Sequence, residues 1–418
     1  MAKMLMVVPP LTGHINPAVS LAGALRLRGH EVAWAVHRDL IPDVLPDDAE
    51  VYPLPVEPNL ELGKRSPGVR GLESVKFFYE QFCLPLARAS LQPLQDIVQT
   101  VEPDLMICDH QMLAGALVAR ARQIPWFTLA STNVSILKMS GVIDAWLEER
   151  FAVLQRDYGV PVQARPDFSS HGVIVFSSEA LLGGKYAYYE APYHFVGPAF
   201  THRPMAVEFP WEELHAGASR MLITLGTVSR DRGVRFYEVM MEALDGLVVS
   251  DSSLSRRPLQ VVMVAPAEVR DRAPANFIVR PRVPQVALLA HMDAVLCHAG
   301  HNTVCEALSF GLPLIVAPIR DDQPIVARQV IDAGAGLFMR YGKVTVAAAR
   351  AAVEELLREP GYRGGALRLK ESFGRLAGAA QAAGILERFL QGERLAPGGH
   401  SCAVQPGPSH AAASHAVG

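Results

Sequence analysis

The chain has 418 residues, of which 50% are hydrophobic and 19% charged, and its formal net charge at pH 7 is -3. This composition suits two to three folded domains of roughly 150 residues each and excludes a chain that is disordered throughout. The small acidic excess argues against nucleic acid or an anionic membrane surface as a partner, since both attract basic proteins.

The cysteines and the N-terminus point to a reducing compartment. The five cysteines are scattered and include no Cys-x-x-Cys pair, so neither a disulfide framework nor a zinc finger is expected. The first apolar run breaks at Pro9 and Pro10, too early for a signal peptide. No stretch reaches the ~18 consecutive apolar residues that span a bilayer. We therefore expect a soluble, cytoplasmic protein with no stable membrane insertion.

Short runs rich in valine, isoleucine and leucine alternate with alanine-rich stretches of helical period. Continuous apolar runs indicate strands buried on both faces, and hence parallel sheets. The predicted strands are Met4–Val8, Val32–Val36, Leu105–Cys108, Trp126–Ala130 and Val173–Phe176, then Met221–Leu225, Gln260–Val264, Phe277–Val279, Ala294–Cys297 and Leu314–Ala317. This rhythm predicts an α/β fold of two doubly wound, Rossmann-like domains that face each other across a cleft.

Composition also suggests the domain boundaries. The segment that follows Val196, Gly197 and Pro198 has no clear period and reads as a linker. We place the N-terminal domain at residues 1–200 and the C-terminal domain at 215–390. The last helical stretch, Ala366–Leu390, either closes the second domain or crosses back onto the first. Residues 397–418 are predicted to form a disordered tail, with metal binding by its histidines as a weaker alternative.

The strongest motif is His-Ala-Gly-His-Asn-Thr at residues 298–303, between the strand that ends at Cys297 and a helix predicted over Val304–Phe310. A glycine turn and the free N–H groups of a helix start form a binding site for phosphate. Simple helix capping explains the Asn and Thr but leaves His298 and Gly300 unexplained. A metal pair of His298 and His301 lacks further ligands at usable spacing. Phosphate binding is therefore favoured.

Polar residues flank that loop, each near the predicted end of a strand, where open α/β sheets bind ligands. Upstream lies Arg-Val-Pro-Gln at residues 282–285, and Glu306 lies one turn into the helix. Downstream, Asp322 and Gln323 follow a strand. A carboxylate at position 306 suits ribose hydroxyls, whereas Asp322 and Gln323 together suit adjacent hydroxyls of a hexose.

Gly226 and Thr227 end the first strand of the second domain. The glycine would let the backbone approach a diphosphate, and the threonine hydroxyl could donate to it. A simple turn explains the pair equally well when it is taken alone.

The first domain offers a candidate general base. His14 follows the first strand, beside Asn16 and Pro17, which predict a helix N-cap and first helical position. A histidine there can remove the proton of a hydroxyl group, and Asp109, after a later strand, can orient it. The alternatives are a histidine bonded to backbone and an aspartate in a cap or turn. His110 is the lower-ranked competitor.

Further residues are candidates for the acceptor or sugar side of the cleft. Ser131 and Thr132 follow the strand Trp126–Ala130, and either reach the sugar and diphosphate or cap a helix. An aromatic cluster at near-helical spacing either packs in the core or lines an apolar acceptor pocket. The candidates on this side are Gly13, Ser131, Thr132, Phe77, Phe78 and Phe82.

Residues 284–323 carry, in order, Pro-Gln, His-x-Gly-x-Asn-Thr-x-x-Glu, Gly-x-Pro and Asp-Gln. This order resembles the donor-binding signature of plant UDP-glycosyltransferases and of bacterial macrolide and natural-product glycosyltransferases, which are inverting, nucleotide-sugar-dependent enzymes with the GT-B fold. Arg282 stands where the family commonly has an aromatic residue on the base, and a guanidinium can also stack there. The resemblance assigns to the donor Gly226, Thr227, Arg282, Val283, Gln285, His298, Gly300, Asn302, Thr303, Glu306, Asp322 and Gln323.

The resemblance implies a hexosyltransferase of secondary metabolism or antibiotic biosynthesis. It would move a hexose from a UDP- or TDP-sugar to a hydroxyl of an apolar aglycone of polyketide, macrolide or indolocarbazole type. His14 would be the base and Asp109 its support, with the acceptor on the N-terminal domain and the donor on the C-terminal domain. No Asp-x-Asp pair occurs in the sequence, so neither a metal nor another cofactor is expected. The protein would act as a monomer or homodimer.

Three alternatives belong to other classes. A non-catalytic nucleotide-sugar-binding auxiliary protein would keep the second-domain motif without needing the His14–Asp109 pair. A sugar-nucleotide epimerase would need no apolar acceptor side. A nicotinamide-dependent oxidoreductase would need Gly-x-Gly-x-x-Gly in the first turn, which contains only Gly13.

Overall fold

A computed structural model of the protein describes residues 1–37, 44–55, 72–184, 187–201, 207–226, 234–250 and 255–393. In these residues, the N-terminal half forms a seven-stranded parallel sheet. Its strands are β1 (Lys3–Val7), β2 (Glu31–Val36), β3 (Glu50–Pro53), β4 (Leu105–Asp109), β5 (Trp126–Ala130), β6 (Val173–Val175) and β7 (Tyr193–Phe195). Their order across the sheet is β3-β2-β1-β4-β5-β6-β7.

The second half repeats this plan. Its strands are β8 (Ser219–Thr224), β9 (Val248–Ser250), β10 (Arg256–Val264), β11 (Phe277–Arg280), β12 (Ala294–Cys297), β13 (Leu314–Val316) and β14 (Gly336–Phe338). The parallel order is β11-β10-β8-β12-β13-β14, and β9 pairs antiparallel with β10. The two doubly wound sheets that the sequence predicts are therefore present.

Helices cover both faces of each sheet. Those of the first half are α1 (Thr12–Arg26), α2 (Leu72–Phe78), α3 (Leu84–Val101), α4 (Leu113–Arg122), α5 (Gly141–Tyr158) and α6 (Glu179–Leu182). Those of the second half are α7 (Val234–Leu244), α8 (Ala267–Arg270), α9 (Gln285–Leu289), α10 (His301–Ser309), α11 (Gln323–Asp332), α12 (Val346–Arg358), α13 (Pro360–Gly374) and α14 (Ala379–Leu390). Within the described residues, no helix is both long and apolar enough to cross a membrane.

The strand order fixes where polar side chains can gather. Each sheet reverses its winding direction between two central strands, β1 and β4 in the first and β8 and β12 in the second. Ligands of open α/β sheets bind at this reversal, beyond the carboxyl ends of the strands. Val7 pairs with Cys108, and Thr224 pairs with Cys297, so the segments that follow these strands emerge side by side.

The start of α1 differs from the prediction. The helix begins at Thr12 with Leu11 as its N-cap, so Pro17 lies inside it and not at its first position. His14 is therefore in the first helical turn. Asn16 and Pro17 mimic a helix start because they suit the N-cap and first position, but the chain is already helical when it reaches them.

The single helical stretch predicted over Ala366–Leu390 is two helices. Gly378, at φ 55°, separates α13 from α14. The small and aliphatic face of α14 packs into the core of the first sheet, together with Ile15 of α1. Glu387 pairs there with Arg28 and accepts a hydrogen bond from His30 at 3.1 Å. The last described helix thus crosses back onto the first sheet.

Candidate active site

His14 and Asp109 lie side by side at the winding reversal of the first sheet. His14 Nδ1 is 2.9 Å from Asp109 Oδ2, and the other carboxylate oxygen accepts the backbone N–H of Gln111 at 2.9 Å. Asp109 is the last residue of β4, not the residue after it. Its side chain is 0% exposed, whereas that of His14 is 13% exposed. The imidazole is therefore the member of the pair that reaches the cleft.

The surroundings keep this carboxylate ionised. Burial acts to raise the pKa of Asp109, but the charges of His14 and His110 and the hydrogen bonds from His14 and Gln111 outweigh it, so the pKa is lowered. The neighbouring His110 is buried, and burial lowers its pKa. Its ring centroid lies 5.5 Å from that of His14. His110 Nδ1 also lies 3.5 Å from Asp109 Oδ1, but His110 is buried, whereas His14 has both a hydrogen bond to the carboxylate and the exposure.

Ser131 joins this pair. Its hydroxyl lies 2.6 Å from His14 Nδ1 and donates to Asp109 Oδ2 at 2.8 Å. The sequence predicted that Ser131 either reaches the sugar or diphosphate or caps a helix. Within the described residues its hydroxyl contacts the two candidate catalytic residues, and its contact with a substrate stays a prediction. Its position after β5 was visible in the sequence, but the direction of its side chain was not.

His298 occupies a slot between two glycines at the winding reversal of the second sheet. A Cβ on Gly226, where φ is +71°, would lie 2.6 Å from the imidazole, and one on Gly300 would lie 2.5 Å from it. Only glycine at both positions leaves room for the ring. Burial, and then the charge of Arg320, lower the pKa of His298 to about 4, so the ring is neutral at pH 7. Among the described residues its Nδ1 has no hydrogen-bond partner.

The helix start that follows differs from the prediction. Helix α10 begins at His301, three residues earlier than expected, with Gly300 as N-cap and no side-chain capping bond. Asn302 and Thr303 therefore lie within the first turn and do not cap it. The buried Ala299 takes a left-handed φ of 63°, a conformation that costs a non-glycine residue about 1 kcal/mol. Nothing in the sequence marks that residue, which directly precedes the N-cap of α10.

Among the hydrogen bonds that join the two halves within the described part of the chain are three that involve candidate site residues or their immediate neighbours. Thr132 donates to the Asp322 carboxylate at 2.8 Å, and Asn133 donates to Gln329 at 3.0 Å. His301, buried and with its pKa lowered to about 4 by burial, contacts the Phe176 carbonyl at 3.2 Å through Nε2. His301 thus contacts the backbone of the first half, and it does not form the metal-binding pair with His298 that was considered above.

The Asp322 carboxylate accepts a hydrogen bond from Thr132 and is close enough to His14 for their charges to interact, and its contact with the sugar stays a prediction. Burial raises its pKa, and the Thr132 hydrogen bond opposes that rise. Gln323 uses its side-chain oxygen within its own loop, where it accepts the N–H groups of Ile319 and Arg320 at 2.8 and 3.0 Å. Its amide nitrogen is the part of the side chain that a ligand would meet.

Some of the residues predicted to bind the nucleotide lie close together in the structure. Gln285 donates to the buried carboxylate of Glu306 at 2.6 Å. Val283 packs against the core of the second sheet, and Arg282 is exposed. Thr227 lies outside the described residues, as does the predicted tail.

The aromatic candidates divide between two environments. Phe78 and Phe82 stack with centroids 5.3 Å apart and belong to the core cluster that also contains Leu11 and Met112. Phe77 is half-buried and is not part of that cluster. Core packing thus accounts for two of the three aromatic candidates.

Within the described residues, one group of side chains could hold a metal ion. The donor atoms of His14, Asp109 and His110 lie within 4.8 Å of one another. Two imidazoles and a carboxylate are ligands that zinc accepts. The same three residues also form an ordinary base with its orienting carboxylate, which needs no ion.

Comparisons with known proteins agree with this geometry. Residues 259–381 match the family described as "Erythromycin biosynthesis protein CIII-like, C-terminal domain". The uncharacterized UDP-glucosyltransferase YojK of Bacillus subtilis (strain 168) is 27% identical, with 94% of this chain and 98% of that protein covered. The 4'-demethylrebeccamycin synthase of Lentzea aerocolonigenes is 24% identical, with 93% and 100% covered.

Solved structures match over nearly the whole chain. The glycosyltransferase of kitacinnamycin has a TM-score of 0.73 at 23% identity and covers 93% of this chain and 98% of its own. The glycosyltransferase VinC, in complex with DTDP, has a TM-score of 0.72 at 19% identity and covers 94% and 100%. These comparisons confirm that the chain has the GT-B fold and resembles the natural-product glycosyltransferases, as its motifs predicted.

Proposed function

We propose that this chain moves a hexose from a UDP- or TDP-sugar to a hydroxyl group of an apolar natural-product aglycone, with inversion at the anomeric carbon. The observation that carries the proposal is the bonded His14–Asp109 pair on one sheet, facing the glycine-lined start of α10 on the other. A hydrogen-bonded His–Asp pair by itself is found in many hydrolases, and a helix N-terminus that can bind phosphate is found in many nucleotide-binding proteins. When both features face the same cleft, they can act on two bound substrates and transfer a group from one to the other.

His14 is the proposed base. Its Nδ1–H donates to the ionised Asp109, which leaves Nε2 to accept a proton. The acceptor oxygen attacks the anomeric carbon as its proton passes to Nε2, and the bond from that carbon to the diphosphate oxygen breaks with its electron pair. Asp109 then stabilises the imidazolium. A single displacement of this kind inverts the anomeric carbon.

The departing diphosphate is proposed to bind at the start of α10. Free N–H groups and the positive end of the helix dipole stabilise developing negative charge there. The neutral His298 ring, fixed between Gly226 and Gly300, can donate a further hydrogen bond. We infer that these groups replace a metal ion. The thymidine diphosphate bound in the structure of Streptomyces sp. SF2575 SsfS6, a protein of the same fold, supports a nucleotide donor.

The rest of the donor is proposed to follow the strand ends of the second sheet. Glu306 accepts from the ribose hydroxyls, and Asp322 with the Gln323 amide nitrogen binds the hexose. Arg282 and Val283 lie against the base, consistent with the exposed guanidinium at the edge of the sheet. In this arrangement the second sheet and its helices serve the donor, and the first sheet, onto which α14 crosses back, serves the acceptor.

The acceptor side is proposed to be apolar. Phe77 is half-buried outside the core cluster and is proposed to contact the aglycone, with Phe78 and Phe82 packed behind it. The relatives include a demethyllactenocin mycarosyltransferase of Streptomyces fradiae, which supports a macrolide-like acceptor. We therefore favour a catalytic role in antibiotic biosynthesis over a non-catalytic binding role, since a binding protein would not need the His14–Asp109 pair.

A transfer assay tests the proposal. Purified protein is incubated with UDP- or TDP-hexoses and a panel of macrolide and indolocarbazole aglycones, with and without EDTA, and the product anomer is assigned by NMR. We expect glycosides of inverted configuration and the same rate in EDTA. Retained configuration would contradict single displacement, and loss of turnover in EDTA would contradict metal independence. Nucleotide binding without transfer to any hydroxyl acceptor would favour the auxiliary protein.

A further inference from the structure

A further hydrogen bond joins the start of α10 to the helix that carries the candidate base. The side-chain amide of Asn302 donates to the backbone carbonyl of Gly13 at 2.7 Å. Asn302 is the second residue of α10, and Gly13 precedes His14 in α1. The three cross-cleft hydrogen bonds described above do not involve α1, whereas this one reaches the helix that carries the candidate base.

The Gly13 carbonyl is free to accept this bond because of a proline. In an α-helix the carbonyl of residue i accepts the N–H of residue i+4, which for Gly13 is Pro17. Proline has no N–H, and its ring pushes away the carbonyl four residues earlier. Pro17 lies inside α1, so the Gly13 carbonyl, one residue before His14, lacks the N–H donor that an α-helix normally supplies four residues later.

The glycine at position 13 is not needed for space. A Cβ there would lie 3.9 Å from Asn302 Nδ2, an ordinary van der Waals distance. The contact therefore depends on the carbonyl of residue 13 and on the proline that leaves it unpaired, not on the small size of the residue.

We propose that Asn302 is a positioning residue, which holds the start of α10 at a fixed distance from His14 through the carbonyl that Pro17 leaves free. This inference rests on the proposed function, because it concerns the spacing of base and leaving group. The resemblance assigns the Asn302 side chain to the diphosphate. Here that side chain spans the cleft, and the backbone N–H groups of the helix start remain for the anion.

The two residues can be tested against each other. Asn302→Ala removes the donor. Pro17→Ala supplies an N–H that pairs with Gly13 inside the helix and draws the carbonyl away from Asn302. Each change should lower kcat by about threefold to tenfold, the effect of one hydrogen bond, with KM for the nucleotide-sugar and Kd for the free nucleotide within about twofold. The double variant should be no slower than the slower single variant.

Stability separates this effect from damage to the fold. Because a proline in a helix interior is destabilising, Pro17→Ala should raise the melting midpoint while it lowers kcat. Pro93→Ala, inside α3 and away from the cleft, is the matched control and should leave kcat unchanged.

The outcomes distinguish the two proposals. An increased Kd for free nucleotide in Asn302→Ala, with Pro17→Ala silent, would make Asn302 a diphosphate ligand and overturn the inference. Additive losses of kcat would also overturn it. If the wild type transfers sugar and His14→Ala does not, but both variants are silent, the inference fails and the proposed function stands. If the wild type transfers no sugar, the proposed function is wrong. The non-additivity of the melting midpoints of Asn302→Ala, Pro17→Ala and the double variant still tests the Asn302–Gly13 hydrogen bond.

Discussion

Replacing His14 with alanine should abolish glycoside formation, with a loss of at least about a thousandfold in kcat. No other group in the described cleft combines exposure to the substrate side with an ionised partner such as Asp109. General-base catalysis alone contributes about a hundredfold to ten-thousandfold, and the acceptor hydroxyl is a poor nucleophile without it. The measurement is kcat for a saturating donor, with product identified by mass spectrometry.

The nucleotide provides the internal control for this variant. His14 lies on the first sheet, so Kd for the free nucleoside diphosphate should stay within about twofold of the wild-type value. His215→Ala, an exposed histidine of the second half, should transfer sugar at the wild-type rate. Transfer retained in His14→Ala would remove His14 from the role of base.

Asp109→Asn should lower kcat by about a hundredfold to a thousandfold, with little change in KM for the acceptor. The amide removes the charge that stabilises the imidazolium, and its NH₂ group can reverse the tautomer by donating to His14 Nδ1. The pKa of Asp109 is held below its ordinary value, so the carboxylate stays ionised as the pH is decreased toward about 5. The difference between Asp and Asn should therefore persist across about pH 5 to 8.

Ser131→Ala is the comparison for Asp109→Asn. Its hydroxyl bonds the same carboxylate oxygen as His14 but carries no charge, so its loss should cost about tenfold or less. Equal losses in the two variants would mean that the charge of Asp109 contributes nothing beyond a hydrogen bond.

Much of the site was predictable because, in this fold, the position of a residue relative to the strands in the sequence determines where it lies in space. Residues that follow buried parallel strands meet at the winding reversal, which brings His14 to Asp109 and Gly226 to His298. Position after a strand is a property of the sequence pattern, and so is the type of side chain found there. The roles of these residues stay predictions until they are tested by mutation.

The unpredicted features depend on contacts between distant residues. In the sequence, Pro17 resembles the first residue of a helix. The structure shows it inside α1, where the Asn302 side chain donates to the Gly13 carbonyl that would otherwise pair with the N–H of residue 17. The sequence marked Ser131 as a candidate for the sugar side, but it did not reveal the hydrogen bond from its hydroxyl to Asp109. The left-handed Ala299 has no signal in its residue type, since alanine rarely adopts that conformation.

The central claim is that the start of α10 and His14 serve one bound donor in a shared cleft. A crystal structure with a nucleoside diphosphate measures this directly. We predict phosphate oxygens within hydrogen-bond distance of His298 and of backbone N–H groups at residues 300–303, with the terminal phosphate on the side of the cleft that His14 faces. A nucleotide bound elsewhere, or with its phosphates turned away from His14, would contradict the account.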